Sequence, residues 1–280
     1  MKGIIRGAAL LSAASLATAA HAGDGGVKDY TAASASTWSG YYIGGFAGGA
    51  WGESSSSTSV GAVVPGSSYF QSDANVAAVE RSGTGSLDDT AFTGGVLVGR
   101  NIQSGRWVYG AELDFGSFNL NAGGESGGVY PDFPGFPNTP YSVGTSVETD
   151  WLMTARARIG WLASDTLLIY ATGGLALTDV EVTNSFSDGA PSQGVGGAGQ
   201  SDTKAGWAVG GGVELALTGN WTIRGEYLHV DFGSVTSKSS VGCTPGAPFD
   251  CSTVPVAPSS FNTRADLSAD IARAALTARF

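Results

Sequence analysis

The stretch WVYGAELDF, Trp107 to Phe115, alternates strictly. Trp107, Tyr109, Ala111, Leu113 and Phe115 share one side of an extended strand, and Val108, Gly110, Glu112 and Asp114 share the other, because strand side chains repeat every two residues. One face is broad and apolar; the opposite face carries two carboxylates. Such a strand has two homes. A water-soluble sheet buries the aromatics and wets the carboxylates, whereas a barrel in a bilayer turns the aromatics to lipid and the carboxylates into a narrow lumen.

Composition favours the second. Charged residues make up 14% of the 280 and glycine accounts for 44 positions, whereas soluble domains carry about a quarter charged residues. Too few ionised side chains remain to cover a soluble surface. No segment reaches the roughly 20 unbroken apolar residues of a membrane helix. The opening MKGIIRGAALLSAASLATAAHA has basic Lys2 and Arg6, an apolar small-residue run and an Ala20-His21-Ala22 site, the form of a secretory signal peptide cleaved after Ala22. Residues 23–37 are then a polar periplasmic segment, and 38–280 the folded body. The net charge of −10, with no basic cluster, excludes a nucleic-acid partner, which demands Lys and Arg at the phosphates.

The body reads as eight strands: Trp38 to Gly52, Thr90 to Gln103, Arg106 to Phe118, Asp150 to Leu162, Thr166 to Val182, Lys204 to Leu217, Trp221 to Gly233 and Thr263 to Phe280. Their connections alternate long and short. Ser104-Gly105, Ala163-Ser164-Asp165 and Thr218-Gly219-Asn220 are tight turns, the first and third with ordinary hairpin chemistry. Glu53 to Asp89, Asn119 to Glu148, Thr183 to Thr203 and Ser234 to Asn262 read as loops; the prolines of YPDFPGFPNTPY exclude a central strand there. The expected fold is all-β: an eight-stranded antiparallel up-and-down transmembrane β-barrel with four long extracellular loops and three short periplasmic turns.

The other strands repeat the opening pattern. Small residues on the polar face leave room for a few long charged side chains, as a narrow barrel requires. Aromatics gather at strand ends, Trp38, Trp51, Trp107, Trp151, Trp161, Trp207, Trp221 and Phe280, in the manner of interfacial girdles. Inside fall Glu112, Asp114, Glu214 and Glu226 against Arg156, Arg158, Arg224, Arg273 and Arg279. Isolated charges there cost several kcal/mol, so a connected Arg–carboxylate network is expected, filling the lumen in preference to lining an open pore. Two features stand apart. Strand seven continues Leu228, Val230, Phe232 on its polar face, which a bulge, a register change or emergence above the membrane would each explain. Arg100 falls on the lipid-facing parity, tolerable only near an interface, where the penalty is about 0–1 kcal/mol.

Cys243 and Cys251 lie in a Pro/Gly-rich loop of an exported chain, where a short disulfide is the expected use. His229 has no companion for catalysis or metal binding, and His21 leaves with the signal peptide; no catalytic residue, metal or cofactor is expected. Four functions compete: a structural or surface role in the envelope, a small-solute porin, a loop-based haem or host-surface binder, and an enzyme. Tyr69, Tyr130 and Tyr141 are loop candidates for haem, a thin set without His or Met. The acidic loops read as a solvated surface, with cation bridging to lipopolysaccharide as the sharper alternative.

WSGYYIGGFAGGAWG, FTGGVLVGRNIQSGRWVYGAELDFG, RARIGWLASDTLLIYATGGLA, EYLHVDFGS and the terminal LTARF together resemble the small porin-like outer-membrane proteins of opacity type, among them outer-membrane immunogenic proteins and some surface haem-binding proteins. The resemblance implies an OmpA-like barrel in the bacterial outer membrane, in contact with its lipid and lipopolysaccharide and inserted by the outer-membrane assembly machinery. Phe280 would be part of the assembly signal, and no appended peptidoglycan-binding domain is expected.

Overall fold

A computed structural model describes residues 38–280, apart from 65–67, 134 and 245–255. The expected signal peptide and polar leader lie outside the described residues, as does Cys251, and with it the expected bridge to Cys243. Eight strands are present among the described residues: β1 (Gly40–Val60), β2 (Gly85–Ser104), β3 (Trp107–Val129), β4 (Pro140–Ser164), β5 (Leu167–Asp188), β6 (Gly194–Ala216), β7 (Trp221–Cys243) and β8 (Ser259–Arg279). Each pairs with its sequence neighbour, and β1 pairs with β8 to close the ring.

The opening question is settled by exposure. Trp107, Tyr109, Leu113 and Phe115 are exposed, while Glu112 and Asp114 are buried. The same division holds for Ile159 and Trp161 against Arg156 and Arg158, and for Trp207, Val209 and Val213 against Glu214. Exposed large apolar side chains form a continuous belt, bounded on β1 by Tyr41 and Trp51. Ten residue steps at about 3.3 Å give about 33 Å along the strand, or about 25 Å of height at a tilt near 40°, the height of the apolar band of an outer-membrane barrel.

The strands run well beyond this belt, which corrects the expected loops. Most of Thr183 to Thr203 is β5 and β6, and the flanks of Asn119 to Glu148 and of Ser234 to Asn262 are strand as well. The loop tips contract to 61–84, 130–139, 189–193 and 244–258. The reason is a reversal of pattern above the belt. There the outward face is polar, while Phe118, Leu120, Val147, Val180, Val182, Val235 and Leu267 form one buried interior cluster, with Ser56, Thr58, Asn184 and Thr263 also inward. A wall standing in water is built like a soluble barrel, apolar inside, so the alternation keeps its period and changes its sign.

Strand seven shows the change within one element. Arg224 and Glu226 point inward in the belt, and Leu228, Val230 and Phe232 continue on that same inward face. The polar face turns apolar because the strand leaves the membrane. A bulge then follows, with the β7–β8 register shifting between Asp231 and Ser234 at Gly233, whose φ is +64°. Glycine adopts this backbone without the Cβ penalty, and the slip brings Val235 and Val241 inward, both buried.

The belt makes a direct prediction. Leu113→Arg places a charge against hydrocarbon and should destabilise the folded protein by about 2–4 kcal/mol in bilayers. Ser201→Arg, outward on β6 above the belt, should change stability by about 0.5 kcal/mol or less. Urea unfolding from liposomes reads both; equal costs would remove the assigned membrane boundary.

Candidate functional site

Inward side chains stack in layers from the short-turn rim to the loops. At the rim sits Trp38, fully buried, which corrects its expected place in the aromatic girdle. Its main-chain N–H donates to Gln103 Oε1 at 2.8 Å and its indole N–H to the Asp165 carbonyl at 3.2 Å. The ring packs with Val108, Leu162, Leu168 and Tyr170. A Trp that buries its ring and satisfies its N–H does better in this mouth than at a headgroup surface. The Arg279 guanidinium lies 4.8 Å from the Trp38 ring centroid, at the rim.

The next layer gathers eight ionised side chains. Strand register places Glu112 opposite Arg156, Glu214 opposite Arg224 and Glu226 opposite Arg273. The ion pairs also cross the lumen. Arg156 reaches Glu112 at 2.6 Å, Asp114 at 2.7 Å and Glu226 at 3.2 Å. Arg273 meets Glu226 at 2.6 Å and Asp114 at 2.9 Å. Arg224 reaches across to Glu112 at 2.7 Å, and Arg158 to Glu214 at 2.8 Å. Arg156 grips Glu226 with both terminal nitrogens, at 3.2 and 3.4 Å, the two-pronged form that favours Arg over Lys. Four guanidinium groups face four carboxylates, so the layer is neutral, and every one of these side chains is at most 3% exposed.

Neutral partners complete it. Tyr42 O–H donates to Glu112 at 2.7 Å and accepts from Arg158 at 3.0 Å. Tyr170 O–H donates to Glu226 at 2.8 Å, Thr154 to Asp114 at 2.8 Å and Thr222 to Glu214 at 2.7 Å. The Arg158 guanidinium also lies 4.1 Å from the Tyr170 ring centroid and that of Arg273 4.3 Å from the Phe46 ring, close enough for cation–π attraction. Tyr42, Tyr170 and Phe46 are missed by the sequence reading, which assigns no faces to the first and fifth strands. The signal lay in glycines on the neighbouring strand β2: a Cβ at Gly99 would clash with the Tyr42 ring, and one at Gly95 would fall 2.8 Å from that of Phe46.

Above the apolar layer the loop end is capped. The segment between β1 and β2 forms a helix, α1 (Asp73–Ser82), N-capped by Ser72, whose hydroxyl accepts from Ala74 N–H. Its Ala78 and Val79 pack with Phe70, Tyr130, Tyr141, Phe186 and Phe261. Asn75 and the Asp132 backbone exchange hydrogen bonds at 2.7 and 3.0 Å. Asp188 holds the cap down: one carboxylate oxygen accepts Tyr69 O–H at 2.6 Å and Tyr130 O–H at 2.7 Å, the other the Gly194 N–H at 2.8 Å. Tyr141 O–H lies 3.0 Å from Ser82 Oγ. The three loop tyrosines weighed as haem ligands thus bond within the cap. Burial, and then the Asp188 carboxylate, raise the Tyr69 and Tyr130 phenols well above their ordinary value. His229, on the outer wall, lies 2.8 Å from Asp270, and no metal-holding group of three or more His, Cys, Asp or Glu occurs among the described residues.

The family model and the relatives in sequence agree with the barrel fold. A family model described as outer membrane protein beta-barrel domain matches residues 7–280. The 31 kDa outer-membrane immunogenic protein of Brucella melitensis biotype 1 is 35% identical over 238 residues, covering 79% of this chain and 84% of that protein. A 22 kDa outer membrane protein of Rhizobium leguminosarum bv. viciae is 34% identical over 143 residues, 51% of this chain and 54% of that one. Among solved structures, the outer membrane protein OprG of Pseudomonas aeruginosa aligns over 86% of this chain and 97% of its own, at 11% identity and a TM-score of 0.44.

Two predictions follow from the layers. Glu214→Leu alone takes from Arg158 its nearest carboxylate and leaves a buried positive charge in excess, and should cost about 3–5 kcal/mol, while Arg158→Met with Glu214→Leu should recover most of that loss; liposome unfolding measures both. A phenol held protonated by folding contributes stability that is complete below the unfolded value of about 10 and lost as pH rises above it. The cap should therefore become protease-sensitive above about pH 10, and Tyr69→Phe with Tyr130→Phe should abolish that alkaline dependence.

Proposed function

The chain belongs to the outer membrane protein beta-barrel family, and we propose that within the outer membrane it serves as a closed, non-conducting barrel. Its role is structural, and its loop end faces the cell's surroundings. The observation that carries this reading is the neutral layer of four arginines and four carboxylates. Eight strands enclose a lumen that side chains can fill, and a solute would have to separate charges that are paired with one another in a buried interior. Trp38 below and the apolar cluster above add further barriers on the same axis.

The belt binds lipid, and the polar wall above it stands among lipopolysaccharide sugars. At the rim the Phe280 main chain exchanges hydrogen bonds with Tyr41 at 2.9 and 3.1 Å, and its exposed ring stacks on that of Tyr41. That accessible aromatic end is the feature we assign to recognition by the assembly machinery.

Planar-bilayer recording tests the closed lumen. The purified protein should show no unitary conductance at any moderate voltage. Reproducible channel steps that scale with the number of inserted molecules would replace the structural role with a porin.

A further inference from the structure

One lipid-facing charge is left over by the sealed lumen. On β1 between Tyr41 and Trp51, β2 between Phe92 and Ile102, β3 between Trp107 and Phe115, and β4 between Met153 and Trp161, every outward side chain among the described residues is uncharged except Arg100. It stands directly across from Tyr41 in the β1–β2 register. Its guanidinium lies over the exposed Tyr41 ring, 5.2 Å from the centroid. Arg106, in the turn between β2 and β3, repeats the arrangement over the exposed Trp161 ring at 5.7 Å. Neither arginine makes an ion pair among the described residues, whereas the lumen arginines are all paired.

Both sit at the short-turn rim, where the bilayer's inner-leaflet headgroups lie against the aromatic girdle. A guanidinium laid flat on a ring keeps its edge donors free, and that fork matches the oxygens of a phosphate. The charges on the two ends of the barrel differ as well. At this rim Arg100, Arg106 and Arg279 stand against Asp165, whereas exposed outward positions at the loop end carry Glu53, Asp88, Glu125, Glu181 and Asp266 against Lys238 and Arg264.

We propose that Arg100 and Arg106, each oriented by its own girdle ring on β1 and β4, each bind the phosphate of an anionic phospholipid of the inner leaflet. This explains why an arginine occupies a lipid-facing strand position: it meets a headgroup and not hydrocarbon. The two sites are separate from the lumen and do not depend on whether the lumen conducts.

The test is lipid retention by the full barrel. The protein is folded into mixed phosphatidylglycerol and phosphatidylcholine bilayers, extracted gently, and its retained lipids are counted by native mass spectrometry. The wild type should enrich phosphatidylglycerol, by about fivefold for each arginine. Arg100→Gln with Arg106→Gln should abolish the enrichment, and the double Lys variant, which keeps the charge but loses the fork, should retain part of it. Heat-modifiable gel migration verifies that each variant is folded. Equal retention of the two lipids by the wild type, or enrichment unchanged in the glutamine variant, would overturn the site. Enrichment abolished by millimolar inorganic phosphate would show a free-anion site and overturn the lipid assignment.

Discussion

Everything in this molecule answers to one constraint, that a strand facing hydrocarbon has no water to satisfy its backbone. Each N–H and C=O of the belt must find a partner in a neighbouring strand. With eight strands this is possible only if the first meets the last. The β1–β8 pairing, continuous from Tyr42–Arg279 to Val60–Phe261, removes the two edges an open sheet would expose. Closure at this small number then dictates the interior, because the lumen admits side chains and little else. What fills it is decided by which residues alternate with the lipid-facing ones.

The ionic filling has a consequence that an apolar one would lack. A slip of one residue between strands is forbidden by the belt, since it would turn arginines to lipid and aromatics inward. A slip of two residues preserves the faces and is opposed only by what lies inside. Here it would move Arg156 away from Glu112, and Arg273 away from Glu226, by two positions along their paired strands. Because Arg156 also spans the lumen to Glu226, and Arg224 to Glu112, the pairs tie β3, β4, β7 and β8 into one register. Buried ion pairs add little net stability over packed apolar residues. Their use here is to make one alignment of the strands far better than its nearest competitors.

Much of this was legible in the chain. WVYGAELDF alone stated the two faces, and low charge with abundant glycine chose lipid over water. The parity of Arg156, Arg158, Glu214, Arg224, Glu226 and Arg273 placed all of them in one lumen, because a period of two is insensitive to small errors in strand ends. Two kinds of information were not legible. Strand length was hidden by composition, since Ser- and Gly-rich segments such as GVGGAGQSDT read as loop although a water-exposed barrel wall tolerates them. The direction of an isolated aromatic was hidden too. Trp38 and Tyr42 lie near the same strand end as Tyr41, and only the room left by distant glycines and hydrogen-bond partners decides which of them turns inward.

The reversal of sign above the belt also fixes what kind of surface stands above the membrane. Had the long connections been loops, the outer end would be mobile chain carrying carboxylates. The strands instead carry the wall upward, with an interior packed by Phe118, Val147, Phe232 and Leu267. The cap formed by α1 and the Asp188 tyrosines closes that wall from above. Ordering this end stabilises it through burial of its own, independent of lipid, because its apolar side chains are removed from water by the barrel and not by the bilayer. The molecule is thus one wall in two solvents, acyl chains below and water above, and the level at which the pattern inverts is where one solvent gives way to the other.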